Sequence, residues 1–474
     1  MSTFVVVGGD AAGMSAASKA KRDNPDLDVV VFERGEWVSY GACGLPYYIK
    51  GEIQSLEDLI SVTPEQFREE RDIDLRTGHD VVDIDPETRI VTARSSDGDV
   101  VQPYDHLLIA TGSTAVTPPI DGIDREGVYT LGSMSDGKGL REYVSRARND
   151  GNLQQPDRGP ACHFLETCNG PIGIVGGGYI GVEMAEALAA NDFEVHLFQR
   201  GDRILKQFSK ATSETVLEHL HEQDVAVYLD TEIRELVGGE SVEAIVANEE
   251  RIPVEMVLVG TGVRPRTELA EAAGVELGKT GAIATDEYRE TNVPDVYAAG
   301  DCAEAAHVVT GEPVYIPLAL TANRHGRVIG QTVAGTPTMG GGVAGTAAVK
   351  AFDIEAARTG LLHDEALEAG FEPLTETIKA KSRAGYYPEG GTVQVTLTID
   401  RPTGRILGGS LVSEYGEGAV HRSHALVGAV TEGNTVDELS NYDLAYAPPF
   451  NTTWDPVLTA AKVLSGKRQS PSGA

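Results

Sequence analysis

The feature that most restricts the fold of this 474-residue chain is a unit that occurs twice: apolar strand, glycine turn, helix, apolar strand. The first copy is "TFVVVGGDAAGMSAASKAKR" followed by "DVVVFERG". Thr3 to Val7 is a short run rich in β-branched residues, which predicts a strand buried on both faces of a parallel sheet. Gly8, Gly9, Ala12 and Gly13 form the turn and helix start, and Glu33, followed by Arg34, ends the second strand about twenty-five residues after Gly8. Glycines let a pyrophosphate approach the backbone, the helix N-terminus faces its charge, and a carboxylate binds a ribose hydroxyl. Asp10 stands where the middle glycine of the pattern belongs. The second copy, "GPIGIVGGGYIGVEMAEALAANDFEVHLFQRG", has Gly176, Gly178 and Gly181 in the full GxGxxG spacing, with Tyr179 and Ile180 inside the turn. One such turn is a weak signal. Two, each in the strand–turn–helix–strand context, predict two dinucleotide sites.

The copies differ where a ribose would sit. Glu33 of the first becomes Gln199 of the second, followed by Arg200. A carboxylate there repels a 2′-phosphate; Gln199 removes the repulsion and Arg200 is available to pair with the phosphate. NADPH is therefore expected over NADH at the second site. The other reading is that Arg200 faces solvent, since Arg34 holds the matching place in the first copy. Two further strands end in turns suited to a crossing between nucleotide domains: Ala110, Thr111 and Gly112 in "YDHLLIATGSTAVTPP", and Gly260, Thr261 and Gly262 in "VEMVLVGTGVRPRTEL". A third, "TNVPDVYAAGDCAEA", ends at Gly300 and Asp301, placing a carboxylate where the ribityl chain of a flavin would pass. Cys302 beside it reads as packed.

Charge narrows the partners. Lys plus Arg is 39 against 72 Asp plus Glu, a net charge of −33, which disfavours nucleic acid and anionic membranes as partners. Dense carboxylates suit a salt-adapted, haloarchaeal-type host, where salt screens their repulsion. No apolar run is long enough to span a bilayer and "MSTFVVVGGD" does not read as a signal peptide, so a cytoplasmic protein is expected. Four cysteines with no CxxC pair predict neither a disulfide scaffold nor a zinc site. Cys162, His163 and Cys168 lie in a polar stretch, 150–170, read as a solvated loop inserted in the second nucleotide domain, with no metal expected.

Taken together, the opening turn with Glu33, the Ala110 turn, the second GxGxxG and "TNVPDVYAAGD" make the chain resemble the flavin-dependent pyridine nucleotide–disulfide oxidoreductases over nearly its whole length. "WVSYGACGLPYYIKGEI" is similar to the active-site segment of the family's single-cysteine branch, which includes coenzyme A disulfide reductases, NADH oxidases and NADH peroxidases. "TAAVKAFDIEAARTGL" and "DLAYAPPFNTTWDPV" resemble its dimer-interface domain. The resemblance implies an α/β fold with two Rossmann-like domains plus a C-terminal α+β dimerisation domain. The expected boundaries are 1–115 with 282–338 for FAD, 116–281 for NAD(P)H and 339–474 for the interface. FAD, a pyridine nucleotide and a homodimer are implied with it, and Gln199 with Arg200 makes NADPH the expected nucleotide.

In this branch the reactive group is Cys43. Gly44, Leu45, Pro46, Tyr47 and Tyr48 follow it, so no second thiol lies in reach along the chain and Cys43 must exchange with a thiol or oxidant from outside. Its pKa is expected to be low, helped by a nearby helix N-terminus. Peroxidases of the branch carry a histidine in the first glycine turn; here the position is Ala11, which cannot move a proton. Position by position, the resemblance implies coenzyme A contacts at Ser15, Lys19, Arg22, Ser39, Ala42, Arg71, Asn323 and Trp454. Ala42 departs from relatives that carry a polar side chain there. Lys19 and Arg22 share a helix face and, with Arg71, form a basic cluster suited to phosphates. Tyr446 matches a tyrosine that reaches the other subunit's site, with Tyr386 or Tyr387 as a second proton donor. The implied reaction is NADPH-dependent reduction of coenzyme A disulfide. An NAD(P)H oxidase, a polysulfide or persulfide reductase, and a slow flavin redox sensor stand as alternatives, and other small disulfides are not distinguished.

Overall fold

The computed structural model describes residues 2–150 and 170–469, so Cys162, His163 and Cys168 lie outside the described residues. The β-branched runs assemble as the repeat predicts. Thr3–Val7 sits at the centre of an all-parallel sheet, between Asp28–Phe32 and His106–Ile109, with Asp74–Arg76 and Val296–Ala298 at the edges. Ile172–Val175 holds the same place in a second parallel sheet, between Val195–Phe198 and Met256–Val259, with Ala226–Tyr228 and Val128–Thr130 outside. The central strands are buried on both faces, which is why they are continuously apolar rather than alternating.

The two sheets share a register at the functional end. Val7 pairs with Ile109, and Val175 with Val259, so each glycine turn meets the turn that ends the neighbouring strand. Those neighbouring turns lead into the chain crossings. Ser113–Ala115 and Val263–Pro265 run antiparallel as a two-stranded connection. Helix Ala11–Asp23 packs along helix Ala319–Val333, where a Cβ on Gly326 would sit 2.2 Å from the Ala12 carbonyl oxygen, so the small residue sets the approach.

The C-terminal part is a five-stranded antiparallel sheet in the order Ala347–Ala351, Ile354–Gly360, Ile406–Glu414, Thr392–Asp400, Pro373–Lys381. Helices Ala419–Thr431 and Pro456–Gln469 cover it through Leu426, Ala429, Val457 and Leu464, all 0% exposed. Val349, Ala351 and Ile354 of this sheet belong to the same apolar core as Leu45 and Ile49 of helix Leu45–Lys50. The fold class is thus the one expected: α/β, with two Rossmann-type units and a C-terminal α+β unit. Among the described residues no helix is long and apolar enough to cross a membrane, and no cluster of three or more His, Cys, Asp or Glu is arranged for a metal ion.

Candidate active site

Close packing fixes both glycine turns. Gly8 has φ +114°, and a Cβ there would lie 2.1 Å from the Ala110 carbonyl oxygen; one on Gly13 would lie 1.9 Å from that of Gly8. The second turn repeats this: Gly176 has φ +112° with Gly260 opposite, and a Cβ on Gly181 would lie 1.9 Å from the Gly176 oxygen. The strand-end side chains are also equivalent. Glu33 Oε2 accepts from Gly9 N at 2.8 Å, and Gln199 Oε1 accepts from Gly177 N at 2.9 Å. Gln199 therefore keeps the turn's hydrogen bond while dropping the charge.

The first turn fits FAD despite Asp10. That side chain does not cap the helix; its Oδ1 accepts from Tyr40 N at 3.1 Å and so fastens the loop leading to Cys43. Burial, then Glu33 and Asp301, push the Asp10 carboxyl up to about 6, so it stays mostly ionised at about pH 7 and takes up a proton only as the pH falls below about 6. Asp301 is held by Ser113, whose hydroxyl donates at 3.1 Å, while Tyr315 donates to its carbonyl at 3.0 Å. Gly300, at φ +83°, brings the backbone to within 3.1 Å of Ala12 Cβ, measured from where a Cβ would stand. Thr111 Oγ1 donates to the Arg266 carbonyl at 2.8 Å, tying the Ala110–Gly112 turn to the return crossing beyond Gly262.

A single cleft of about 1800 Å³ brings Cys43 and Asp301 onto one surface with Gly176, Gly178, Tyr179, Ile180, Gln199, Arg200 and Gly262. Arg200 is exposed at its wall, and Lys206 lies with it, a second cation at the ribose end of the second turn. Arg34 is exposed in the equivalent place of the first copy. Cys43 lies in a single 3₁₀ turn, Ala42–Gly44, before helix Leu45–Lys50, and is reached by solvent. The expected low pKa is not found. Burial raises the thiol above its usual value, and Glu183, Asp301 and Asp10 raise it further, because the charges around it are carboxylates and the following helix has only six residues. Glu183 accepts from Tyr47 Oη at 3.3 Å, and burial pushes its carboxyl up to about 7.

The expected coenzyme A residues are only partly a basic cluster. Ser15 Oγ donates to Asn323 Oδ1 across the two packed helices. Lys19 pairs with Asp23 at 2.7 Å, so its charge is partly met one turn along its own helix. Arg71 donates to Ser18 at 2.9 Å and lies over the Phe67 ring at 4.9 Å. Arg22 and Ala42 are exposed, and Ser39 (φ +48°) donates from its N–H to the Gly9 carbonyl at 3.0 Å. The tyrosines gather elsewhere. Tyr386 and Tyr446 hydroxyls are 3.1 Å apart and share a small cavity of about 310 Å³ with Trp454, and none of the three lines the Cys43 cleft of their own chain; Tyr387 is exposed beside them. Sequence reasoning missed Lys206, Glu183, Ser113 and Tyr315; of these only Lys206, in "QRGDRILK", carried a local signal, as a further cation after Arg200.

The profile of the pyridine nucleotide-disulphide oxidoreductases matches residues 2–326, and that of their dimerisation domain matches residues 346–456. A CoA-dependent NAD(P)H sulfur oxidoreductase from Pyrococcus abyssi is 39% identical over 98% of this chain and 98% of its own length. A coenzyme A disulfide reductase from Staphylococcus aureus is 28% identical over 95% of this chain and 97% of its own. Among solved structures, an NAD-dependent persulfide reductase from A. fulgidus superposes with a TM-score of 0.91 at 34% identity, covering 98% of this chain and 83% of that one. The chain belongs to the pyridine nucleotide-disulphide oxidoreductase family and is an FAD-dependent NAD(P)H oxidoreductase.

Proposed function

We propose that the chain reduces coenzyme A disulfide to two coenzyme A thiols at the expense of NADPH, with Cys43 as the exchanging thiol. One observation carries the reading. Cys43 opens into the cleft that also holds the second glycine turn, while the other described cysteine, Cys302, is fully buried and directs its Sγ to the Ile109 and Ala299 carbonyls. With no second thiol beside it among the described residues, Cys43 would find its sulfur partner in the substrate.

Gly8, Gly9, Gly13, Glu33 and Asp301 would hold FAD, which when bound supplies the relay of two electrons from nicotinamide to sulfur. Gly176, Gly178 and Gly181 would hold the nicotinamide nucleotide, with Arg200 and Lys206 meeting a 2′-phosphate that uncharged Gln199 does not repel. The Cys43 thiolate attacks one sulfur of coenzyme A disulfide: a Cys43–coenzyme A disulfide forms, and one coenzyme A thiolate leaves and takes a proton. Two electrons then cleave the mixed disulfide, regenerating the Cys43 thiolate and freeing the second thiol. Ser15, Asn323, Arg22 and Arg71 would line the path of the coenzyme, with Lys19 contributing its Asp23-paired ammonium less than a free cation would. Tyr446 or Tyr386 of a second copy would donate the proton to the leaving thiolate. A homodimer is supported by the dimerisation-domain match and by a face on which Tyr386, Phe450 and Trp454 are 77%, 78% and 56% exposed, more aromatic surface than a monomer normally leaves open.

A second reading has support of its own. The P. abyssi and A. fulgidus relatives bear sulfur-oxidoreductase and persulfide-reductase names, and the same Cys43 attack would serve a sulfane sulfur. Anaerobic NADPH oxidation in high salt separates the readings. Rapid turnover with coenzyme A disulfide supports the first. Turnover only with polysulfide or coenzyme A persulfide supports the second. Turnover only on admitting air would indicate an oxidase and contradict both.

A further inference from the structure

Three parts of the molecule meet on one buried carboxylate. Glu186, on helix Tyr179–Ala189 of the second nucleotide unit, is 3% exposed. Its Oε1 accepts from Lys50 Nζ at 2.7 Å and from Lys350 Nζ at 2.5 Å, and its Oε2 accepts from Phe352 N at 2.8 Å. Lys50 ends the helix that begins just after Cys43, whereas Lys350 and Phe352 belong to the C-terminal sheet and its first turn. The contact is part of a ladder. Tyr47 and Lys50 fall three residues apart on one face of the helix that follows Cys43; Tyr47 meets Glu183 at 3.3 Å, and Lys50 meets Glu186, three residues on. Asn191 adds a hydrogen bond from its side-chain amide to the Lys50 carbonyl at 3.2 Å.

Holding three units together does not require charge. Apolar side chains of similar volume do it as well or better, and the same units already share an apolar core through Leu45, Ile49, Val349 and Ile354. What a directional carboxylate adds is register: it fixes how far along its axis the Cys43 helix stands. We propose that Glu186 is a positioning residue for the chemistry at Cys43, acting through Lys50 to set that helix against the second nucleotide turn and the C-terminal unit. The inference rests on Cys43 as the reacting thiol.

The test uses the holoenzyme with Glu186→Gln, Lys50→Met and their double variant. Three rates are read: anaerobic flavin reduction by NADPH, turnover with coenzyme A disulfide, and alkylation of Cys43 by iodoacetamide after thiol reduction and desalting. Misplacing a reacting sulfur by about 1 Å costs about a hundredfold, so turnover should fall by about ten- to a hundredfold in each single variant. The alkylation rate should shift as well, flavin reduction should stay within about twofold, and the double variant should be no worse than Glu186→Gln alone. Unchanged alkylation and turnover in FAD-loaded variants would overturn the proposal, as would flavin reduction falling in step with turnover, which marks general loosening. If Glu186→Gln loses FAD, Lys50→Met decides by the same rates. Should coenzyme A disulfide prove not to be the substrate, alkylation still reads the position of Cys43, so the two failures stay distinct.

Discussion

Replacing Glu183 with glutamine should stabilise the protein, and only at higher pH. In the folded chain burial holds the Glu183 carboxyl near 7, against a usual 4.5. The folded state therefore keeps a proton that the unfolded chain releases. As pH rises from 4.5 to 7 the unfolded state is favoured progressively, and above about 7 the full cost applies. The difference, 7 − 4.5 = 2.5, corresponds to about 3 kcal/mol, or about 2 kcal/mol once water reaching this cleft wall is allowed for. Glutamine cannot ionise and retains an acceptor for the Tyr47 hydroxyl. Chemical unfolding of FAD-stripped protein at constant salt should show Glu183→Gln about 2 kcal/mol more stable at pH 8 and indistinguishable near pH 4.5. Glu183 is also the first of the charges that raise the Cys43 thiol, so the alkylation profile of Cys43 should move to lower pH in the same variant. No gain at pH 8, or a gain equal at both pH values, would refute the reasoning.

The remaining expectations concern binding and assembly. A Cβ at Gly13 would lie 1.9 Å from the Gly8 oxygen, and one at Gly181 the same distance from that of Gly176; Gly13→Ala should lose FAD, whereas Gly181→Ala should keep FAD and lose NADPH-driven flavin reduction, both read by absorbance. Arg200→Ala or Lys206→Ala should raise KM for NADPH about tenfold or more, the worth of one charge-assisted hydrogen bond, and leave KM for NADH unchanged. Gln199→Glu, which can still accept from Gly177 N, should turn the preference toward NADH. If Tyr446 works across a dimer, mixing inactive Cys43→Ser and Tyr446→Phe chains under dissociating and reassociating conditions should restore part of the activity, while either alone restores none.

The parts of this molecule written in local physics were legible in the sequence. Gly13 and Gly181 are each required by a close backbone approach to a residue of the same turn, Gly8 and Gly176, so the glycine turns could be placed from spacing alone. The approach of Gly8 to Ala110 and of Gly176 to Gly260 instead joins distant segments. Glu33 and Gln199 were equally visible, because they end the next strand of the same unit. What escaped was set by contacts between distant segments. The acidity of Cys43 is set by burial and then by Glu183, Asp301 and Asp10, three carboxylates from separate stretches, and no pattern around Cys43 announces either. The Lys50–Glu186–Lys350 junction joins residues more than a hundred apart. Asp10 looked like a flaw in the first glycine pattern, yet its side chain fastens Tyr40, a role that only the folded loop reveals. The Lys19–Asp23 pair, by contrast, lies one helical turn apart and was there to be read.

The central claim is that Cys43 trades sulfur with a substrate rather than with a second protein thiol. Intact-mass measurement of the oxidised holoenzyme after one equivalent of coenzyme A disulfide tests it most directly. The account predicts a gain of one coenzyme A per chain, located by peptide mapping at Cys43, absent in Cys43→Ser, and released on anaerobic addition of NADPH. No adduct at Cys43, or an adduct that NADPH leaves in place, would contradict it.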